Sequence, residues 1–113
     1  MSVAAAIRNE EAEIRQWLDG LELPETVVEY RLLLDNDWEG DPKVDIYFIL
    51  TDSLSDREFH EEAQRIRRMV MDSFYDSDLR RWPYPHFRQK AEQDALDAEE
   101  RRHQQRVEKR RRR

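Results

Sequence analysis

The stretch VEYRLLLDNDWEGDPKVDIYFILT, Val28–Thr51, decides the fold. In its first run Val28, Tyr30, Leu32 and Leu34 share one face, and Glu29, Arg31 and Asp35 share the other. In its second run Val44, Ile46, Phe48 and Leu50 point one way, and Lys43, Asp45 and Thr51 the other. Alternation with period two is the signature of half-buried strands. Setting Leu34 opposite Val44 also sets Leu32 opposite Ile46, Tyr30 opposite Phe48 and Val28 opposite Leu50. All four apolar pairs then lie on one face, and Asp35 meets Lys43 beside the turn. A slip of one residue would move every side chain to the wrong face, so the pattern predicts one hairpin in one register.

Working upstream, Val3, Ile7, Ile14 and Leu18 recur on one helical stripe, with Trp17 beside them, and predict a helix from Val3 to Asp19. Glu10 and Glu11 interrupt the stripe, so one half of this helix packs more than the other. Gly20 is read as its C′ stop. Working downstream, Ser55 and Glu58 form a capping box, and Leu54 and Phe59 a hydrophobic staple. The stripe Phe59, Ala63, Ile66, Val70 and Phe74 carries that second helix to about Tyr75.

The segment RRWPYPHFR, residues 80–88, has two prolines that remove two backbone donors. It therefore reads as an edge strand or a strap over the hairpin. From Gln89 on, Ala91, Ala95, Leu96 and Ala98 give a weak stripe, supported by Asp97–Arg101 and Glu108–Arg112 pairs one turn apart. The fold expected is α+β: a small antiparallel sheet, the hairpin plus an edge strand, covered by helices on one face. Residues 1–90 form the compact domain, and residues 91–113 a charged, largely solvent-exposed helical or disordered tail.

Composition narrows the function. The 113 residues are 41% charged and contain no cysteine, which removes disulfides, a thiol nucleophile and cysteine-based zinc sites. No run approaches the roughly 20 apolar residues of a membrane span. Met1 to Ile7 has neither the basic region nor the apolar run of a secretory signal, so a cytoplasmic protein without a membrane partner is expected. The net charge of −6 is unevenly spread: the residues from Glu100 on carry about +6, which leaves −12 on residues 1–99.

The constellations that imitate active sites are each incomplete. Asp35, Asp37 and Glu39 before Gly40 resemble the opening of a calcium loop, but the twelfth position is Ile46, where a bidentate Glu belongs. Asp35, Asp37 and Asp45 could serve a metal-dependent phosphoryl transfer, yet no Gly-Ser phosphate-binding element precedes them. His60-Glu61-Glu62-Ala63-Gln64 has a glutamine where a zinc helix needs its second histidine. His86 has no nucleophile or carboxylate near it in sequence. The expectation is a noncatalytic protein with no cofactor and no metal.

What remains is a surface for partners. Arg80, Arg81, Trp82, Tyr84, His86 and Arg88, together with Trp17 and Trp38, have the composition of a protein–protein hot spot. The function expected is that of an accessory or regulatory protein acting through protein contacts: an antitoxin-like inhibitor or an adaptor subunit. So small a core also suggests an oligomer, either a homodimer or a subunit of a heteromeric complex. The alternative is a nucleic-acid-associated protein using segment 80–88 and the basic residues Arg101, Arg102, Arg106, Lys109, Arg110, Arg111, Arg112 and Arg113. A metal-dependent enzyme at the acidic hairpin is the third reading.

Overall fold

Six elements follow one another in the computed structural model, which describes residues 2–112. They are α1 (Val3–Asp19), β1 (Val27–Asn36), β2 (Pro42–Leu50), α2 (Asp56–Tyr75), β3 (Trp82–Gln89) and α3 (Lys90–Arg111). The three strands form one sheet in the order β1-β2-β3.

The hairpin has the expected register over most of its length. Leu34 faces Val44, Leu32 faces Ile46, Tyr30 faces Phe48 and Asp35 faces Lys43. The last pair differs: a bulge between Val27 and Glu29 puts Val27 opposite Leu50. Val28 is the extra residue and is half exposed, because a bulged residue drops out of the alternation.

The third strand joins β2 in parallel, with Val44 opposite Pro83, Ile46 opposite Pro85 and Phe48 opposite Phe87. The sheet is therefore mixed, not antiparallel throughout. An edge strand's direction is not written in its own residues. It is set by the connection: parallel pairing needs a crossover of about a dozen residues or more, and α2 alone supplies 20. Pro83 and Pro85, two apart, remove donors from the same side of β3, so its outer edge cannot pair with a fourth strand.

One face of the sheet carries the core. Val44, Ile46, Phe48 and Leu50 cluster with Ile14 and Leu18 of α1 and with Ile66 and Val70 of α2, all nearly inaccessible to solvent. Burying each such side chain contributes roughly 1.5–3 kcal/mol. The Phe48 and Phe87 rings stack at 5.6 Å across the parallel pair. Helix α1 packs through its second half alone; Val3 and Ile7 are exposed, as the Glu10–Glu11 interruption implied. Polar bonds also pin it: the Trp17 indole N–H donates to Ser73 Oγ (2.8 Å) and the Tyr30 hydroxyl to Asp19 Oδ1 (2.8 Å). Gly20 ends α1 at a right-handed φ of −80°, so no left-handed C′ geometry is used. The capping box of Ser55 and Glu58 is formed, and Leu54 and Phe59 both pack against the core.

Helix α3 follows β3 without a loop. Its N-cap Gln89 makes no side-chain cap bond; Asp52, before α2, instead accepts from the Ala91 N–H at 3.0 Å. The first turns of α3 cross the face of the sheet opposite the core and bury Ile49 and Gln93 there. From Arg101 on, every described residue is exposed.

The bulge makes the strand end testable. Val27→Ser should cost about 1 kcal/mol, and Val28→Ser should stay within about 0.5 kcal/mol of the parent in urea unfolding. A larger effect at Val28 would restore the unbulged register.

Candidate functional site: the outer face of the sheet

The face away from the core is built from the alternate residues of all three strands. Leu33, Asp45 and Tyr84 lie side by side; so do Arg31, Tyr47 and His86, and then Glu29, Ile49 and Arg88. The parallel register thus brings residues about forty positions apart onto one surface.

Its charges form a continuous chain of contacts. Asp45, only 6% exposed, accepts from Lys43 Nζ at 2.9 Å and from His86 Nε2 at 2.8 Å. Burial alone pushes the Asp45 carboxyl upward, but the bonds from His86 and Lys43 together overcome it, and the net shift is downward. The His86 ring stacks on Tyr47 at 4.7 Å. The Arg88 guanidinium lies 4.4 Å from the centre of the same tyrosine ring and donates to Gln93 Oε1 at 2.9 Å. Gln93 donates in turn to Asp97 Oδ1 at 2.9 Å. Asp97 receives both terminal nitrogens of Arg31, at 2.7 and 2.8 Å, and Arg31 also reaches Glu29 at 3.2 Å. Hydrogen bonds from Arg31, then Gln93, hold the Asp97 carboxyl well below the usual carboxylate range. Among the described residues no buried side-chain polar atom lacks a partner.

Large apolar side chains stand exposed on either side of this network. Leu33, Tyr84 and Trp82 are 52%, 39% and 44% exposed. Trp82 packs edge-on against Phe74 at 5.1 Å and Tyr75 at 6.0 Å, and Tyr75 is largely exposed. Lys43 Nζ sits 5.4 Å from the centre of the Tyr84 ring.

Of the residues singled out in the sequence, Trp82, Tyr84, His86 and Arg88 lie along β3 on or beside this face. Arg80 is exposed just before it. Arg81 is a clamp: it pairs with Glu10 of α1 and donates to the backbone carbonyls of Asp35 (2.8 Å) and Lys43 (3.3 Å). Trp17 packs against the core, whereas Trp38 stands at the hairpin tip, 92% exposed. Arg101, Arg102, Arg106, Lys109, Arg110, Arg111 and Arg112 are exposed along or at the end of α3; Arg113 lies outside the described residues. Asp97 pairs with Arg31 of β1, not with Arg101 one turn on, while Glu108–Arg112 forms as expected.

The acidic loop closes on itself. Asp37 Oδ1 accepts from the N–H groups of Glu39 and Asp41, each at 2.9 Å, and Gly40 takes the positive φ of 89° that the turn requires. Asp45 is turned to His86 and Lys43. Among the described residues no three metal-ligating side chains come together. His60 and Gln64 contact each other at 3.3 Å on the surface of α2. His86 does have a carboxylate partner, Asp45, which its sequence neighbourhood could not show because the two strands meet only through the α2 crossover.

Comparisons of the chain with protein-family models, with curated proteins and with solved structures gave no match. Among the described residues no helix is long and apolar enough to cross a membrane.

Two outcomes follow from this geometry. Arg81→Ala leaves two strand carbonyls without their donor and should cost about 2 kcal/mol in urea unfolding. Asp97→Asn should release the start of α3 from the sheet, read as faster amide exchange around residues 93–100 with the core strands unchanged. In the parent the depressed Asp97 carboxyl stabilises the folded state above its unfolded pKa, and that stabilisation is lost as pH falls. Protection of this segment should therefore hold from neutrality to about pH 4 and decline below it, whereas Asp97→Asn should lack that step.

Proposed function

We propose that this protein is a noncatalytic binding protein that engages a protein partner through the outer face of its sheet. The observation that carries this reading is the exposure of Leu33, Tyr84 and Trp82 on the strands, with Tyr75 of α2 against Trp82, beside a polar network already satisfied within the chain. Large exposed aromatics flanked by fixed charges have the character of an interface centre and rim. The acids of the face, Asp45 and Asp97, are neutralised internally, so a partner meets little unpaired negative charge. Of its cations, Arg31 and Lys43 are held by those same acids and Arg88 lies against Tyr47 and donates to Gln93, which favours protein over nucleic acid here. An inhibitor or adaptor role in the cytoplasm fits this surface. A second copy fits as partner too, since the proline-free edge of β1 is the one left open.

The test is affinity purification with the parent and with Trp82→Ala/Tyr84→Ala as baits, alongside size-exclusion with light scattering. A stoichiometric protein, or a dimer, present with the parent at high salt and lost with the double variant is the expected result. Undiminished capture by the variant would remove these side chains from the interface.

A second reading rests on α3, whose residues Arg101, Arg102, Arg106 and Lys109–Arg112 are all exposed, with Arg112 in an ion pair to Glu108. It predicts nucleic-acid binding that weakens steeply with salt and disappears when Lys109–Arg112 are replaced by glutamine.

A further inference from the structure

We infer that β1 pairs with the β1 of a second copy along its open edge, antiparallel and centred on Leu33, joining the two sheets into one. This deepens the second-copy reading above, and of the exposed apolar side chains of the outer face it uses Leu33 alone. β1 lies at the end of the strand order, and its sequence VVEYRLLLDN holds neither proline nor lysine, the residues that commonly guard an edge. The opposite edge of the sheet is closed by Pro83 and Pro85. The core is also unfinished beside β1. Tyr30, Leu32 and Leu34 are only half-buried, whereas Phe48, Ile46 and Val44, their partners on β2, are fully buried. A strand added here continues both the ladder and the core.

The hairpin fixes which backbone groups face outward. The Asp37 N–H donates to the Asp41 carbonyl at 2.8 Å, and hydrogen-bonded and non-hydrogen-bonded pairs alternate from there along the ladder. Leu34–Val44, Leu32–Ile46 and Tyr30–Phe48 are then non-hydrogen-bonded pairs, as is Asn36–Pro42, whose proline has no N–H to give. The N–H and C=O groups of Tyr30, Leu32 and Leu34 therefore point to the open edge. For these groups to meet their like in a second copy, the two-fold axis must pass through a residue, and charge chooses which. An axis at Arg31 sets that arginine against itself, and one at Leu32 sets Glu29 against the partner's Asp35. An axis at Tyr30 needs the bulged Val28, and one at Leu34 sets Leu33 against the partner's Asp35. The axis at Leu33 avoids all four faults. It sets Leu33 against the partner's Leu33, Arg31 against the partner's Asp35 and Leu32 against the partner's Leu34, all within the unbulged residues 30–36. Arg31 is already fixed by Asp97, so the partner's Asp35 meets a guanidinium that needs no further ordering. Leu33, half exposed in the single chain, becomes covered.

The chain has no cysteine, so a Leu33→Cys variant reports the axis directly. Leu33 and its copy form a non-hydrogen-bonded pair, whose Cα atoms lie about 4.5 Å apart and within disulfide reach. Mild oxidation of Leu33→Cys should give a covalent dimer, and Val28→Cys, exposed on the same strand but off the axis, should stay unlinked. Light scattering on the parent at micromolar concentration should read twice the chain mass. Leu33→Lys puts like charges together on the axis and should raise the dimer's dissociation constant about tenfold or more, with the thermal melt of the chain kept. Trp82→Ala/Tyr84→Ala should leave this dimer unchanged, which separates its failure from that of the outer-face reading. Three results would overturn the inference: a monomer throughout the micromolar range, equal cross-linking of Val28→Cys and Leu33→Cys, or a dimer lost with Trp82→Ala/Tyr84→Ala and kept with Leu33→Lys.

Discussion

The seating of β3 along β2, parallel and in register, is the constraint on which the rest of the molecule depends. β2 is the only strand with neighbours on both sides, and six of its nine residues are buried. Its inner residues hold the core against α1 and α2. Its outer residues, Asp45, Tyr47 and Ile49, are reached by β3 and α3 together. Without β3 in place, Asp45 would be a buried carboxylate lacking His86, and removing one partner of a buried charge is costly. Ile49 would lose the helix that covers it, because α3 continues directly from the last residue of β3.

Most of the architecture was legible in the sequence because its signals are local. The hairpin register followed from period-two alternation, and the start of α2 from the reciprocal Ser55–Glu58 cap. The edge position of β3 followed from its two prolines. Where reading from sequence failed, the cause lay in non-local geometry. The bulge at Val28 has no signature in a run of apolar residues, since Val27 and Val28 serve the inner face equally well. The direction of β3 depends on the α2 crossover, and with it went the pairing of Asp45 with His86. Arg81 and Trp17 have the composition of interface residues, yet Arg81 bonds to the hairpin and to Glu10, and Trp17 packs into the core. Asp97 was expected to stabilise its own helix and ties that helix to β1.

The outer face gains a consistent physical character from this geometry. Its acids and cations bond to one another in a chain from Lys43 to Glu29, and the large apolar side chains Leu33, Tyr84 and Trp82 stand exposed beside it. Such a surface is fixed before any partner arrives, which lowers the ordering cost of association.

The most direct test is a nuclear Overhauser map of the β2–β3 contact in the free protein. Parallel contacts linking Asp45 with Tyr84, Tyr47 with His86 and Phe48 with Phe87 are the predicted pattern. An antiparallel pattern, or β3 lying as a strap without ladder contacts to β2, would contradict the account and dissolve the outer face that depends on it.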